Sequence, residues 1–514
     1  MIHLPLLTKP WRISLNLKHG RLIGKFVLRC FFSFLFCLPC MYISAQGYPK
    51  LILSGDYPDP SIIRDDEDYY MTHSPFHYKP GLLIWHSKDL VNWEPICRAL
   101  PEFEGSAWAP DLLKYKDTYY IYYPSAGTNW VIWAKDIKGP WSKPIDLKIS
   151  GIDPGHIADE QGNRYLYVDN GVVIRLTADG LATVGEKRKV YDGWKYPDTW
   201  ETECMCLESP KLIYHKGYYY LTSAQGGTAG PATSHMVVSA RSKSITGPWE
   251  NSPYNPIVHT YSAADDWWSK GHGTLVDDVN GNWWIFYHAY AKGYHTLGRS
   301  TLMEPIEWTA DGWYHTKNKA TPLVSSEPIK DKGRFSDNFD GPELGLQWTF
   351  WKEYVPQALH FKHGALWLDA CGKTPADGRK LLVIAEDKNY EAQVEIKVGK
   401  NNLAGLILFY DEKAYAGFVS DGTKCTIYQN AGKKAEFSNN LGNHFFVRLH
   451  NQGNYVSIMV SKDDKKWASL AENIDVSMLH HNNYGGFCSL RIGLLSAGEG
   501  SAGFDNFSYR TPVP

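Results

Sequence analysis

Cysteine is scarce in this chain, and long apolar runs are scarcer still. Nine of the 514 residues are cysteine, and three of those nine lie in the first 45 residues. The other six are too few for a disulfide scaffold in so long a chain, and only Cys204 and Cys206 are closely spaced. The sequence also has no P-loop, no dinucleotide-binding glycine fingerprint and no Ser-His-Asp order. These absences argue against nucleotide-dependent enzymes and serine hydrolases.

One long apolar run does occur, from Cys30 to Ile43, and it follows a basic stretch without acidic residues. Ser44 and Ala45 come next, and Ala45 is a small residue suited to cleavage. The run is too short for a membrane span and nothing like it recurs, so residues 1–45 are expected to be a signal peptide. We therefore expect a secreted or periplasmic protein with no membrane span.

The remaining chain is acidic and rich in aromatic residues. Without its first 45 residues it holds 47 basic and 55 acidic residues, a formal net charge of −8. That charge repels polyanions and argues against a nucleic-acid partner. The whole chain has 20 Trp and 33 Tyr. Such side chains favour strands, and their faces also stack on sugar rings, although most of them are expected in the core.

An internal repeat is the most informative feature. Five times, a small or charged turn is followed by aromatic residues and an alternating strand, in steps of 50, 46, 53 and 65 residues. The anchor residues of the five copies are Tyr69, Tyr119, Tyr165, Tyr218 and Trp283. Segments that close on a Trp, such as VIWAKDIKGPW at 131–141, follow several copies. This period is typical of propeller blades, with two packed sheets as the alternative, and predicts a five-bladed β-propeller over residues 46–325.

The strand before each anchor is predicted to be the innermost strand of its blade, so that its polar group enters the central channel. Each such strand carries one conspicuous polar residue, 8 to 12 residues before its anchor: Asp59, Asp111, Asp153, Glu208 and His272. Any single one could be an ordinary turn residue, but placement in phase on five blades predicts one shared cavity. Two carboxyl groups facing each other across a cavity are what glycosidic hydrolysis needs, one to protonate the leaving oxygen and one to activate water or attack the sugar.

At these segments the sequence resembles the family 43 glycoside hydrolases, inverting five-bladed-propeller enzymes that act mostly on arabinosides and xylosides. The resemblance covers roughly residues 48–325. YPDPSI at 57–62 is similar to the family's base segment, which implies that Asp59 is the general base. ESPKLIYHKGYYYLTSAQGGT at 208–228 is similar to the acid segment, which implies that Glu208 is the general acid.

Further matches imply the rest of the site. Asp153, in SGIDPGHIADEQGNRYL at 150–166, would tune and orient the acid, and His272 of the GHG motif would contact a central cation or water. The implied substrate contacts are Phe76, Trp108, Asp111 and Arg299. A single-displacement mechanism predicts a carboxyl separation of about 6.5–9.5 Å, which leaves room for a water molecule. No cofactor is required for this chemistry, and a calcium ion near His272 would be structural or electrostatic.

A local alternative exists for the general acid. Glu201 and Glu203 lie close to Glu208, and other five-bladed glycosidases use the acid of a Glu-Cys pair, as in Glu203-Cys204. Those relatives are retaining enzymes with a different nucleophile motif, which is absent from this sequence. Glu208 is also the residue in phase with the repeat, so it is preferred.

From about Ser325 the repeat stops, and SSEPIKDKGR at 325–334 is typical of a linker. Alternating strands such as YEAQVEIKVG follow, and they predict a two-sheet sandwich over residues 335–514. This region resembles the concanavalin-like C-terminal domain of many β-xylosidase-type members. The resemblance implies either a domain that packs on the propeller and closes one side of the pocket, which is favoured, or an independent sugar-binding module.

The expected protein is all-β, a five-bladed β-propeller followed by a β-sandwich. The resemblance implies an exo-acting α-L-arabinofuranosidase or β-xylosidase that releases non-reducing-end pentose from oligosaccharide or polysaccharide substrates of plant origin. The alternatives are another glycosidase of this fold, such as a galactan-cleaving one, and a non-catalytic glycan-binding propeller. The latter is expected to have lost Asp59 or Glu208, and both are present. The choice of pentose depends on pocket shape and is not predicted.

Overall fold

The computed structural model describes residues 48–317 and 334–511. The predicted signal peptide, residues 1–45, lies outside the described residues, as does most of the predicted linker. The described chain is almost entirely β-structure, with one short α-helix, α1 (His481–Tyr484), and two short 3-10 helices at His295–Leu297 and Pro356–Ala358. Within these residues no helix is long and apolar enough to cross a membrane.

The first described segment, residues 48–317, is built of short antiparallel strands. In chain order they are β1 (Lys50–Leu53), β2 (Ser61–Asp65), β3 (Asp68–Thr72), β4 (Tyr78–Lys79), β5 (Gly81–Ser87), β6 (Glu94–Leu100), β7 (Asp111–Tyr115), β8 (Thr118–Ser125), β9 (Thr128–Ala134), β10 (Ile145–Asp146), β11 (Gly155–Ala158), β12 (Arg164–Val168), β13 (Val172–Leu176), β14 (Thr183–Lys189), β15 (Glu208–His215), β16 (Tyr218–Gln225), β17 (Met236–Ser242), β18 (Glu250–Asn251), β19 (Val258–His259), β20 (Trp267–Asp277), β21 (Trp283–Ala291), β22 (Arg299–Trp308) and β23 (Tyr314–Thr316).

Five of the sheets formed by these strands are the blades of a propeller. Blade I has the order β2-β3-β5-β6, blade II β7-β8-β9-β10, and blade III β11-β12-β13-β14. Blade IV has the order β15-β16-β17-β18, with β19 also on β17. Blade V has the order β20-β21-β22-β1, with β23 also on β22, so a strand from the start of the domain closes the ring. The predicted five-bladed propeller is confirmed.

The aromatic residues of the repeat fill the wedges between adjacent blades. Five buried apolar clusters of the described residues each join two neighbouring blades. Two of the anchor residues also form hydrogen bonds between blades. The Tyr69 hydroxyl accepts a hydrogen bond of 3.0 Å from the Val279 N–H of blade V, and the Tyr119 hydroxyl donates one to Asp65 of blade I. The repeat is therefore a packing requirement, because each blade must cover the face of the next.

The second described segment, residues 334–511, forms two large sheets. Its strands are β24 (Thr349–Trp351), β25 (Leu359–Lys362), β26 (Ala365–Asp369), β27 (Arg379–Val383), β28 (Asn389–Lys397), β29 (Asn402–Asp411), β30 (Ala414–Ser420), β31 (Lys424–Gln429), β32 (Gly432–Ser438), β33 (His444–Gln452), β34 (Tyr455–Ser461), β35 (Trp467–Asp475), β36 (Arg491–Gly498) and β37 (Ser501–Arg510). One sheet has the order β32-β31-β30-β29-β36-β27-β24-β4 and the other β25-β26-β37-β28-β33-β34-β35. The predicted sandwich is confirmed.

The sandwich and the propeller share both a sheet and a core. Strand β4 leaves blade I and pairs with β24, with Lys79 opposite Phe350. The main apolar cluster of the sandwich also includes Phe76, Tyr78 and Leu297 of the propeller. The two domains are therefore packed directly on each other.

Candidate active site

The inner strands of the blades carry polar residues at one end of the channel. Asp59 lies two residues before β2, Asp153 lies two residues before β11, and Glu208 is the first residue of β15. His272 lies inside β20, and Arg299 opens β22. The structure brings these five side chains to one site: the phase of the repeat predicted four of them, and Arg299 was implied by the family resemblance.

The backbone at this end of the channel is strained. Asp59, Asp153 and His272 have φ angles of 57°, 54° and 60°, and Ser209, next to the predicted acid, has 55°. Left-handed backbone costs of order 1–3 kcal/mol for a residue other than glycine, and such residues cluster at functional sites. The fold therefore accepts strain at the positions that aim polar groups into the channel.

Asp59 is buried and held by contacts on both carboxylate oxygens. The Arg299 guanidinium donates to Oδ1 at 3.1 Å, and His272 Nδ1 lies 3.3 Å from the same oxygen. The Ser74 hydroxyl donates to Oδ2. The Asp59 backbone N–H donates to His288 Nδ1 at 3.1 Å. These contacts fix both the position and the rotation of the carboxylate.

The surroundings of Asp59 keep it ionised. Burial by itself would raise the pKa of this carboxyl, but the charge of Arg299 outweighs burial and lowers the pKa well below its ordinary value. Burial and the charge of Arg299 lower the pKa of His288 to about 4, so this ring is neutral at neutral pH. An ionised, oriented carboxylate can accept a proton from a water molecule.

Glu208 has the opposite character. Burial and the charges of Asp153 and Asp59 raise the pKa of Glu208 well above its ordinary value. Burial and the charge of Asp59 also raise the pKa of Asp153, but the Lys211 charge opposes that rise. Asp153 Oδ2 further accepts a hydrogen bond of 3.2 Å from the Ser209 N–H, which favours its ionised form. Of the two carboxyls, Glu208 therefore holds its proton more strongly than Asp153.

The predicted cation site at His272 has a definite donor set. Ligand atoms of Asp59, His272 and His288 lie within 4.8 Å of one another. Two imidazoles and one carboxylate suit transition metals, whereas calcium takes six to eight oxygen ligands. Arg299 also places a positive charge against Asp59 Oδ1. The set therefore does not fit a directly bound calcium ion, and no chemical step is derived through one.

Asp111 forms a buried ion pair in the channel. The Lys211 ammonium lies 2.8 Å from Oδ1 of Asp111, and the other oxygen accepts a hydrogen bond of 2.7 Å from the His156 N–H. Lys211 also donates to the carbonyls of Pro110 and Pro154. Both oxygens of Asp111 are thus bound by the protein, and its role as a substrate contact stays a prediction.

Both domains build the wall around Arg299. Its guanidinium carbon lies 5.6 Å from the ring centre of Phe76 and 5.5 Å from that of Phe487 in the sandwich. The ring centres of Phe487 and Trp108 are 6.3 Å apart. His481 of α1 stacks on Phe487, with ring centres 3.7 Å apart. The predicted contacts Phe76, Trp108 and Arg299 therefore meet at one aromatic wall, which the sandwich completes.

Sequence reasoning missed several residues of the site. His288 belongs to the fifth repeat copy and lies in β21, which pairs with β20. The sequence signal that could have identified it is a polar residue in an otherwise apolar strand. Ser74 lies two residues before Phe76, in a segment already singled out. Lys211 follows the predicted acid by three residues. Phe487 had no such signal, because only the packing of the two domains brings it to the propeller.

Two family models match the chain, one for each domain. The glycosyl hydrolases family 43 matches residues 48–314. The beta xylosidase C-terminal concanavalin A-like domain matches residues 336–510. These ranges agree with the propeller and the sandwich.

Known proteins similar to this chain include glycosidases and a solved structure. A xylan 1,3-β-xylosidase of a Vibrio species is 26% identical, over 89% of this chain and 98% of its own. A non-reducing end α-L-arabinofuranosidase of Bacteroides ovatus is 30% identical, over 72% of this chain and 75% of its own. The crystal structure of the GH43 protein BlXynB from Bacillus licheniformis, 28% identical, covers 90% of this chain and all of its own with a TM-score of 0.81. Because the first family model matches more than half of the chain, the protein belongs to glycosyl hydrolases family 43.

Proposed function

We propose that this glycosidase works by single displacement with inversion and releases a non-reducing-end pentose, α-L-arabinofuranose or β-D-xylose. One arrangement carries the mechanism: the Arg299 guanidinium at 3.1 Å and the Ser74 hydroxyl bind Asp59 and favour its ionised form, whereas the charges of Asp153 and Asp59 raise the pKa of the buried Glu208. Environments that push two pKa values apart in this way divide the roles of base and acid. Relatives named as xylosidase and arabinofuranosidase support the choice of a pentose.

In the proposed reaction the two carboxyls act on opposite faces of the sugar. Asp59 takes a proton from a water molecule, and the oxygen of that water molecule attacks the anomeric carbon. Glu208 gives its proton to the glycosidic oxygen as that bond breaks. Asp153 supports this step because its negative charge keeps Glu208 protonated beforehand. Arg299, which holds Asp59, would also bind a sugar hydroxyl.

The aromatic wall supports cleavage at a chain end. Phe487 comes from the sandwich and its ring centre lies 5.5 Å from the Arg299 guanidinium carbon, and His481 stacks on Phe487. In the proposed complex this wall would stop a polysaccharide from continuing past Arg299. The pocket is therefore suited to a single terminal sugar residue.

The proposal is tested with p-nitrophenyl α-L-arabinofuranoside and β-D-xylopyranoside, and with the matching oligosaccharides. Wild type is expected to release pentose from one of the glycosides. Loss of a general acid or base costs about 10²–10⁴-fold in rate, so Asp59→Asn and Glu208→Gln are expected to fall by that amount on oligosaccharides. Glu208→Gln should recover much of its rate on 2,4-dinitrophenyl glycosides, because that leaving group needs no proton. Proton NMR of the first product formed reports inversion.

Matched glutamates control for the assignment of the acid. Glu201 is exposed, and the Glu203 carboxylate accepts a hydrogen bond of 2.8 Å from the Ala229 N–H in a neighbouring loop. Glu201→Gln and Glu203→Gln should therefore show no rescue by the better leaving group. Rescue in Glu203→Gln in place of Glu208→Gln would reassign the acid. No release of pentose by wild type from any of these substrates would refute the proposed activity.

A further inference from the structure

Aromatic side chains cluster on the surface of blade IV, and the proposed mechanism uses none of them. This aromatic platform consists of Trp194, Tyr196, Trp200, His259 and Tyr261. Trp200 stacks on His259, with ring centres 4.5 Å apart and planes within 5°. Tyr261 meets His259 edge-on at 4.8 Å and is 68% exposed, more than any other large apolar side chain in the described residues. Tyr261 is therefore the exposed member of the cluster, Trp194, Tyr196 and Trp200 are partly exposed, and His259 is buried.

The platform lies at the same end of blade IV as the proposed acid. Glu208 pairs with Ala224, next to the end of β16. Gln225, the last residue of β16, exchanges hydrogen bonds of 2.8 and 2.9 Å with the backbone of Trp194. Trp200 precedes Glu208 by eight residues, which span at most about 29 Å when fully extended. The platform is thus within a few sugar residues of the site of cleavage.

Hydrogen bonds also connect the platform to the loop between β16 and β17. His259 Nε2 lies 2.8 Å from the carbonyl oxygen of Thr233. The next residue, Ser234, accepts a hydrogen bond of 2.8 Å from the Glu203 N–H. The Glu203 carboxylate in turn accepts a hydrogen bond from the Ala229 N–H, which also belongs to the loop between β16 and β17. The platform therefore has a fixed position relative to the active-site loops.

The direction of the substrate follows from the wall and the acid. If Glu208 protonates the leaving oxygen, the leaving-group portion of the saccharide starts beside Glu208, on the blade IV side of the site. Phe487 and Trp108 lie together beside Arg299, whereas blade IV carries the platform. We propose that the aromatic platform binds the leaving-group portion of the substrate, a chain of linked xylose residues. This inference rests on the proposed function, because it takes Glu208 as the acid.

The chemistry of the platform suits this ligand. A xylopyranose residue has no exocyclic hydroxymethyl group, so its C–H faces can pack flat on aromatic rings. The main chain is the same whether the released sugar is a terminal xylose or an arabinose branch. A groove beside the platform is lined by Tyr254, Asp265, Lys270 and Glu304, which can hydrogen-bond to hydroxyl groups. Aromatic surface with a few polar groups is the usual make-up of a small-molecule site.

The test compares long and short substrates. For each protein, kcat/KM is measured on the p-nitrophenyl pentoside that wild type hydrolyses and on xylo-oligosaccharides from disaccharide to hexasaccharide, with arabinose branches if arabinose is the sugar released. The readout is the ratio of kcat/KM for the hexasaccharide to that for the p-nitrophenyl substrate. An aromatic contact is worth about three- to tenfold, so Trp200→Ala and Tyr261→Ala should each lower this ratio by that factor, mainly through KM. Trp200→Phe should keep most of it.

Tyr214→Ala is the matched control, because Tyr214 is 45% exposed near the opposite end of β15. It should leave the ratio unchanged. Calorimetric titration with xylohexaose, in the Glu208→Gln background, measures binding without turnover, and Trp200→Ala should raise Kd about three- to tenfold. A ratio and a Kd that stay at the wild-type values in both platform variants would overturn the inference. If wild type releases no pentose, the proposed function fails, and the Kd comparison still decides the platform.

Discussion

At the residue scale, neighbouring groups distinguish the proposed base from the proposed acid. Asp59 and Glu208 carry the same functional group, but Arg299 and the Ser74 hydroxyl stabilise the charge on Asp59, while Asp153 opposes a charge on Glu208. The base must be ionised, so kcat/KM falls as the pH drops through the pKa of Asp59. The acid must be protonated, so kcat/KM falls as the pH rises through the pKa of Glu208. The lowered pKa of Asp59 and the raised pKa of Glu208 therefore place the acidic and alkaline limbs of the kcat/KM profile on opposite sides of a wide pH range of activity.

Ser74→Ala is expected to narrow that range from the acidic side. The variant loses a hydrogen bond to a charged group, worth about 1.5–3 kcal/mol, and this bond favours the ionised form of Asp59. The pKa of Asp59 should therefore rise, and the acidic limb of the kcat/KM profile should move to higher pH while the alkaline limb stays in place. Ser61→Ala is the control, because the hydroxyl of this buried serine contacts the Leu112 N–H and no catalytic carboxyl. An acidic limb that does not move would contradict this role for Ser74.

The site residues that the sequence predicted are positioned by their own inner strands, whereas the site residues that it missed are positioned by the packing of different strands. The phase of the repeat was sufficient to bring Asp59, Asp153 and Glu208 to one site, because every inner strand starts at the same end of the channel. Ser74 and His288 reach Asp59 from other strands, and their contacts depend on how blades I and V pack. Periodicity describes one strand at a time, so it contains no signal for such contacts.

At the element scale, the long loop before β15 leads directly to Glu208, the proposed acid, and contains a disulfide. Cys204 and Cys206 form a bond across a single residue, two positions before Glu208. The close spacing of these cysteines was visible in the sequence, but spacing alone predicts no pairing. Strand β4 was missed for a similar reason, since two residues are too few to show an alternating pattern.

Loss of this disulfide is expected to lower activity more than stability. A disulfide that closes a 15-residue loop stabilises a protein by about 3 kcal/mol, and one that closes so short a loop stabilises it less. The melting temperature of Cys204→Ala/Cys206→Ala should therefore be close to that of wild type. A misplacement of about 1 Å can cost about 100-fold in rate, so we expect kcat to fall by roughly tenfold as the loop that holds Glu208 loosens. Dithiothreitol should have the same effect on wild type and none on the double variant. Wild-type kcat in the double variant would show that the bond does not position the acid.

At the scale of the whole molecule, polar contacts cross the buried boundary between the domains. Arg491 of the sandwich lies 3.2 Å from Asp56 of the propeller, and both side chains are buried. Arg98 donates to the carbonyl of Leu346 at 3.1 Å. The composition and alternation of the sequence predicted both domains, but these contacts join residues up to 435 positions apart. Only the folded arrangement places them together.

The pair of Asp56 and Arg491 is expected to matter for both stability and activity. Removal of one partner of a buried ion pair costs about 3–5 kcal/mol, because the other charge stays buried and unpaired. Arg491→Ala should therefore lower the free energy of unfolding by that amount in urea titrations. Arg491→Ala should also lower kcat/KM, because Asp56 packs closely against Gly298, the residue directly before Arg299. A Cβ atom added to Gly298 would lie only 2.4 Å from the Asp56 carboxylate.

Two further variants separate this pair from ordinary surface charges. Lys135 and Asp117 form an exposed pair with side chains 62% and 83% accessible, so Lys135→Ala should cost less than about 1 kcal/mol. Replacement of both buried charges by neutral groups of similar size is often tolerated, so Asp56→Asn/Arg491→Met should be more stable than Arg491→Ala. If Arg491→Ala unfolds at the same urea concentration as Lys135→Ala, the buried pair does not hold the domains together. If it is destabilised but keeps wild-type kcat/KM, the contact stabilises the domain boundary without positioning Arg299.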